Sequence, residues 1–248
     1  MEKSLFRKII FYLSVPTCVG CSDRLDVDDG PLCKSCVSEY RELKKRNCSR
    51  CAKTLSECIC SNAFLEAHRV KKLIKVFRYL KHREDAASSG LIFSLKKDNR
   101  YDVLDFLSSE LCSAIKASIP NTEDYIITSV PRRKSAIKKF GLDHSEKLAK
   151  RVAKTLGCKY QRLLKSKSKR PQKMLGEHER VKNAEFDVKD VSLKGKSFIL
   201  IDDIVTTGAS MGSCAMLLRS CRAKEIVGAA LAVAYKDKYV PFENSFLP

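Results

Sequence analysis

Phe198-Ile-Leu-Ile-Asp-Asp-Ile-Val-Thr-Thr-Gly-Ala-Ser210 decides the reading of this 248-residue chain. Phe198 to Ile201 is a short apolar run, β-branched at two positions, of the kind that forms a buried parallel strand. Asp202 and Asp203 follow at its carboxyl end. Two adjacent carboxylates there are costly to desolvate unless a cation or a polyhydroxyl ligand meets them. Thr206, Thr207, Gly208, Ala209 and Ser210 come next, and Met211, Ala215, Leu218 and Cys221 then recur at helical spacing. The order is strand, acidic pair, small hydroxyl-rich turn, helix. A helix N-terminus offers free N–H donors and a positive dipole end to a phosphate, and Gly208 lets the backbone come close. The ligand that suits this order carries hydroxyls at one end and phosphate at the other.

Two plainer readings compete. A hydrophobic run ending in Asp-Asp also forms the metal strand of P-loop NTPases, but the G-x-x-x-x-G-K-[ST] that must accompany it is missing from the chain. Asp, Thr and Ser also cap ordinary helices. The joint occurrence of acid pair and Thr-Thr-Gly-Ala-Ser turn favours the ligand site. The stretch resembles the phosphoribosyl-pyrophosphate (PRPP) motif of type I phosphoribosyltransferases. That resemblance implies that Asp202 and Asp203 hold the ribose hydroxyls and that Thr206 to Ser210 hold the 5-phosphate.

Outward from this motif, Tyr125-Ile-Ile-Thr-Ser-Val130 reads as a second strand, stopped by Pro131. In an open α/β sheet, ligands sit outside the carboxyl ends of strands. The Ser129–Arg133 loop is therefore expected to wall the same site, with Arg132 and Arg133 forking to phosphate oxygens. The competing reading is a solvated basic turn. Residues 225–235 read as a third buried strand, 102–118 as a helix capped by Asp102, and Asp143-His-Ser-Glu146 as a capping box opening a helix that stops at Gly157. Val70, Leu73, Ile74, Phe77 and Leu80 form an apolar stripe, so a basic amphipathic helix is expected over 69–83. Residues 3–13 look like another short amphipathic helix, and 236–248 like a peripheral tail.

Eight of the twelve cysteines fall in the first quarter of the chain, as Cys18-x2-Cys21, Cys33-x2-Cys36, Cys48-x2-Cys51 and Cys58-x-Cys60. Close pairs in an intracellular chain read as metal knuckles rather than disulfides. Two C-x2-C turns complete a tetrahedral four-thiolate site for Zn2+, closed and hence structural. The expected sets are 18/21 with 33/36, and 48/51 with 58/60; an interleaved pairing or a single occupied site is the alternative. The division expected is a four-cysteine zinc-ribbon module over residues 1–62 and an α/β domain over 63–248, an open, mainly parallel sheet flanked by helices. No apolar run reaches membrane-spanning length, and Glu2 and the missing A-x-A site argue against a signal peptide. A cytoplasmic protein is expected.

The formal net charge is +19. Residues 132–173 hold sixteen Lys and Arg against Asp143 and Glu146, a net of +14. A field of this size attracts polyanions. It exceeds what one small ligand needs, so a nucleic-acid backbone is the second candidate, and a solvated surface without a partner the third. Residues 162–173 read as a mobile cationic loop. Tyr79, Phe140 and Tyr160 lie among the charges and could stack bases of single-stranded DNA. His68, His82, His144 and His178 are read as surface or hydrogen-bonding residues, since the cysteines already complete the metal sets.

Along nearly its full length the chain resembles the ComF family: cysteine knuckles, a linking helix, then the PRPP motif near the C-terminus. Phe140-Gly-Leu-Asp-His-Ser-Glu146 resembles the family's R-G-F-N-Q-x-E segment, although Lys139-Phe140-Gly141-Leu142-Asp143 departs from its order. Gln172 and Arg180-x-x-Asn183 resemble its Q-x(7)-R-x-x-N segment. The resemblance implies a PRPP-Mg2+ site, phosphoribosyl transfer or PRPP-dependent regulation in natural competence, single-stranded DNA as a partner, and contact with other DNA-processing proteins.

Overall fold

The computed structural model describes residues 16–26, 28–79, 86–98, 100–132, 134–167, 186–189 and 191–234. The helix expected over 3–13, the tail over 236–248, His82, His178, Arg133, Gln172 and the Arg180–Asn183 segment lie outside them.

Five strands among the described residues pair in the order β1-β7-β6-β2-β3, all parallel. They are β1 (Leu73–Arg78), β2 (Tyr125–Ser129), β3 (Lys159–Tyr160), β6 (Ser197–Val205) and β7 (Glu225–Val233). β4 (Leu164–Ser166) and β5 (Phe186–Val188) form a separate antiparallel pair. β6 lies in the middle, in register with β7 from Ser197↔Glu225 to Val205↔Val233 and with β2 from Tyr125↔Ser197 to Ser129↔Ile201. A central parallel strand is buried on both faces, which is why it reads as an unbroken apolar run. Ile199 and Ile201 enter one core and Phe198 and Leu200 the other. All four are fully buried, each contributing about 1.5–3 kcal/mol of transfer free energy.

Helices cover both faces. α1 (Lys34–Lys45), α3 (Ala86–Lys97), α4 (Tyr101–Ser118) and α6 (His144–Leu156) share the first core through Tyr40, Leu91, Leu107, Leu111, Leu148 and Val152. α2 (Ala63–Ala67) and α7 (Ala209–Ser220) share the second through Leu65, Met211, Ala215 and Leu218. α5 (Lys134–Phe140) is a short helix after the β2 loop. The first core runs without a break from the cysteine region into the sheet, since Cys18, Leu25, Leu32, Cys36 and Tyr40 pack with Ile74, Phe77 and Leu104. Tyr40 sets its ring edge-on to Phe77 at 5.6 Å and its hydroxyl donates to Glu110 at 3.0 Å. Edge-to-face pairing adds to the area that the rings bury.

Several expectations are corrected here. The stretch expected as a helix over 69–83 contains the edge strand β1. Its Lys75 is 1% exposed, and the ammonium donates to the carbonyls of Cys58 (3.1 Å), Cys60 (2.8 Å) and Leu73 (3.3 Å) and to Cys58 Sγ (3.1 Å). A lysine so satisfied sits inside the protein, whereas an amphipathic helix with its stripe on Val70, Leu73, Ile74 and Phe77 would turn it to solvent. Part of the loop expected over 162–173 is instead β4, tied to β5. Asp102 does not cap α4: Arg100 holds the cap position, and Asp102, in the first turn, accepts from its guanidinium. Asp143 does cap α6, accepting from the Glu146 amide at 3.1 Å, and the helix ends at Gly157.

Candidate PRPP site and metal clusters

β6 continues through the acid pair to Val205, so Asp202 and Asp203 belong to the strand's last turns of pleat rather than to the loop beyond it. β2 ends beside them, and Pro131 turns the chain across the sheet's carboxyl edge. The Arg132 amide donates to Asp143 Oδ2 at 3.0 Å, so the residue that caps α6 also fixes this loop. From that position the Arg132 guanidinium meets the Asp203 carboxylate. Lys96, from the last turn of α3, reaches the same oxygen at 3.1 Å, and the Ile204 amide donates to the other at 2.8 Å. Asp202 Oδ1 accepts from Ser145 Oγ at 3.0 Å and from the Asp203 amide at 2.9 Å.

The two carboxyls therefore differ. Burial would raise Asp203, but Lys96 and Arg132 outweigh it and hold the group well below the usual carboxylate range. Asp202 keeps some exposed surface. Desolvation of the rest, then the negative charge on Asp203, pushes it up to about 8. Like charges this close rarely ionise together. One acid is thus a fixed anion and the other stands near neutrality, able to donate or accept toward a hydroxyl. His144, 1% exposed, is pushed down to about 4 by burial and then by Arg132, so it is neutral beside the cations.

After β6 the chain crosses Thr206 and Thr207, both exposed, to Gly208. Gly208 holds φ at 86°, and a Cβ there would meet Leu65 Cγ at 2.6 Å. Both the left-handed backbone and the leucine behind it demand glycine. Thr207 Oγ1 accepts from the Ala209 amide at 3.3 Å, and Asn62 braces the turn by donating to the Thr207 carbonyl at 3.2 Å. α7 begins at Ala209, with Ser210 half-buried in its first turn. The acid pair, Arg132 and the turn at Thr206–Ser210 thus share one edge of the sheet.

Lys96 and Ser145 escaped the sequence reading. Lys96 looks like an ordinary cation in a helix's last turn, and only tertiary packing brings α3 over β6. Ser145 hides inside the capping box. Of the aromatic residues proposed for stacking, Tyr79 and Tyr160 are half-buried against the first core, and the side chain of Phe140 lies outside the described residues. His68 fits its expected role, donating from Nδ1 to the Phe64 carbonyl at 2.8 Å and stacking on the Phe64 ring.

The eight cysteines gather as Cys18/Cys21/Cys33/Cys36 and Cys48/Cys51/Cys58/Cys60, the sulfurs of each set within 4.8 Å of one another. Cys21 and Cys33 stand 3.6 Å apart; four ligands at a tetrahedral Zn–S distance of about 2.3 Å need sulfur separations of about 3.8 Å. The amides of Gly20 and Cys33 point at Cys18 Sγ. Burial alone would raise that thiol, but these donors bring it down to about 7. In the second set, the amides of Arg50 and Cys60 point at Cys48 and Cys58. Both sets fit Zn2+, which each would hold through four thiolates.

Residues 142–246 match the model of the phosphoribosyl transferase domain. The chain is 25% identical to competence protein ComFC of Streptococcus pneumoniae over 80% of its own length and 86% of that protein's. It is 24% identical to competence protein ComFC of Bacillus subtilis over 77% and 78%. An 80-residue stretch is 38% identical to ribose-phosphate pyrophosphokinase of Pyrococcus abyssi, covering 32% of this chain and 24% of that one. Among solved structures, a purine phosphoribosyltransferase from Pyrococcus horikoshii aligns over 60% of this chain and 93% of its own, at 16% identity and a TM-score of 0.36. Paired cysteine clusters thus lead a stretch that matches the phosphoribosyl transferase domain model, and along most of its length the chain is similar to two ComFC proteins.

Proposed function

We propose that the edge formed by β2, β6 and α7 binds PRPP together with Mg2+. The observation that carries this is the convergence on one sheet edge of an acid pair, two cations and a helix-opening turn of small hydroxyl residues. Asp202 and Asp203 take the ribose hydroxyls. Thr206, Thr207, Gly208, Ala209 and Ser210 take the 5-phosphate with their amides and hydroxyls. Arg132 takes the diphosphate, and Arg133 is proposed for the same part from its place in the sequence. Mg2+ arrives with the ligand and neutralises part of its charge. The ion pair between Arg132 and Asp203 holds both groups ready; sugar hydroxyls that take over Asp203 release the guanidinium to the diphosphate.

If the chain is a phosphoribosyltransferase, the bond between C1 of the ribose and the diphosphate oxygen breaks as a nitrogen nucleophile bonds to C1. This chain's residues would then grip the sugar and stabilise the departing anion. If it is instead a PRPP-dependent factor in DNA uptake, the same contacts report occupancy. Residues 1–62 serve in either case as a structural zinc module docked on the domain over 63–248. The test is thermal unfolding with PRPP and Mg2+. Ligand at 100 times its Kd stabilises by about 2.7 kcal/mol, so Tm rises with concentration; a Tm that stays put at millimolar PRPP contradicts the proposal. Pyrophosphate release with a panel of bases then separates enzyme from factor.

A second reading, single-stranded DNA binding over 132–173, is favoured by the exposed Lys134, Lys138, Lys154, Lys159 and Lys165. It is weakened by the ion pairs that tie up Lys150, Arg162, Lys167 and Arg151. Leu73–Arg78 is a strand and supplies no helical face to it. Affinity for labelled single strands that falls steeply with salt supports this reading, and affinity indifferent to salt removes it.

A further inference from the structure

α3 is seated on the first cysteine cluster by backbone contact. A Cβ at Gly90 would lie 1.8 Å from the Val19 carbonyl oxygen, and one at Gly20 would lie 2.8 Å from Cys36 Sγ and 3.3 Å from Ala87 Cα. The helix thus rests directly on the Cys18–Cys21 knuckle with no side chain between. Just past its end, the Arg100 guanidinium donates to the Thr17 carbonyl at 2.9 Å, gripping the knuckle a second time. Six residues beyond Gly90, about 9 Å along the axis, Lys96 leaves the helix and reaches Asp203 across the fold.

A lysine in a last turn ordinarily needs no explanation beyond the helix dipole. This one instead leans onto a strand carboxylate that already has Arg132 as its partner. Two cations on a single buried anion leave a surplus of positive charge at the mouth of the site. The Lys96 side chain is 29% exposed against 7% for Asp203, so an incoming ligand can touch it.

On the reading that this edge binds PRPP, we infer that Lys96 is a further contact for the ligand's diphosphate, and that the first cysteine cluster sets its position through α3. Sugar hydroxyls displace the ammonium from Asp203, and it turns to the phosphate oxygens beside Arg132. The metal module thereby acts on the ligand site through one helix.

The test is calorimetric titration of PRPP with Mg2+ into the full chain. Lys96→Met is expected to weaken binding at least tenfold, and Lys96→Arg to retain most of the affinity. Removing metal from the cysteines with a chelator is expected to weaken binding in the wild type, to speed amide hydrogen exchange over 86–98, and to change little further in Lys96→Met. Gly90→Ala, which forces α3 off the knuckle with every cysteine intact, gives the same comparison if chelation unfolds the chain. Wild type and Lys96→Met agreeing within twofold overturn the contact. An equal loss from chelation or Gly90→Ala in both backgrounds overturns the coupling, because independent effects add. A wild type that binds no PRPP overturns the parent reading, and this inference with it.

Discussion

Asp202, Asp203 and His144 share one crowded space, and their protons respond to pH in opposite senses. His144 is held neutral to about pH 4 in the fold against about 6.5 in the unfolded chain. Between those values the unfolded state binds more protons, so stability is fully present above about pH 6.5 and falls as pH drops toward 4. The two pKa values imply a loss of about 3 kcal/mol. A His144→Gln variant, measured by urea unfolding at pH 7 and pH 4.5, should therefore lose less stability on acidification than the wild type. Asp202 runs the other way. Its raised pKa makes the folded state the better proton binder between about 4 and 8, so its contribution is present below that window and is lost as pH rises through it. Asp202→Asn should flatten the decline in unfolding free energy from pH 6 to 9. An unchanged slope would mean that Asp202 is already ionised at neutral pH.

At the scale of elements, the turn between β6 and α7 was legible because local chemistry dictates it. An apolar run, two acids and Thr-Thr-Gly each have few alternatives. Gly208→Ala must adopt φ near 86° and push Leu65 aside, costing about 2–3 kcal/mol. In chemical denaturation the added Leu65→Ala change should cost less than the sum of the singles, since the clash is shared. α6 was legible for the same local reason, through the Asp143 cap. β1 was not. Its lysine is buried because Cys58 and Cys60 offer three acceptors from a segment fifteen residues and more away, beside the nearby Leu73 carbonyl. A spacing rule that assigns Lys75 to solvent returns a helix. Lys96 failed to show for a related reason: nothing within α3 says that Asp203 lies across from it.

At the scale of the whole molecule, the cysteine region and the sheet share one core. The metal clusters should therefore stabilise more than their own loops. Dialysis against a chelator is expected to lower the Tm of the entire chain in a single transition rather than melt a separate module; two resolved transitions in calorimetry would show the module folding by itself. Spacing favoured the grouping of cysteines that the structure shows, with an interleaved set left open, whereas the Gly90–Val19 and Tyr40–Phe77 contacts that bind the module to the sheet were not readable, because each joins positions distant in the chain. No helix among the described residues is long and apolar enough to cross a membrane.

The central claim is that the sheet edge at Asp202 and Asp203 is a PRPP site, and binding heats measure it most directly. Titrating PRPP with Mg2+ into the wild type and into Asp202→Asn/Asp203→Asn should give saturable one-site binding in the first and at least a tenfold weaker Kd in the second, with both proteins folded by circular dichroism. Equal binding by the two would contradict the account, as would no binding by either.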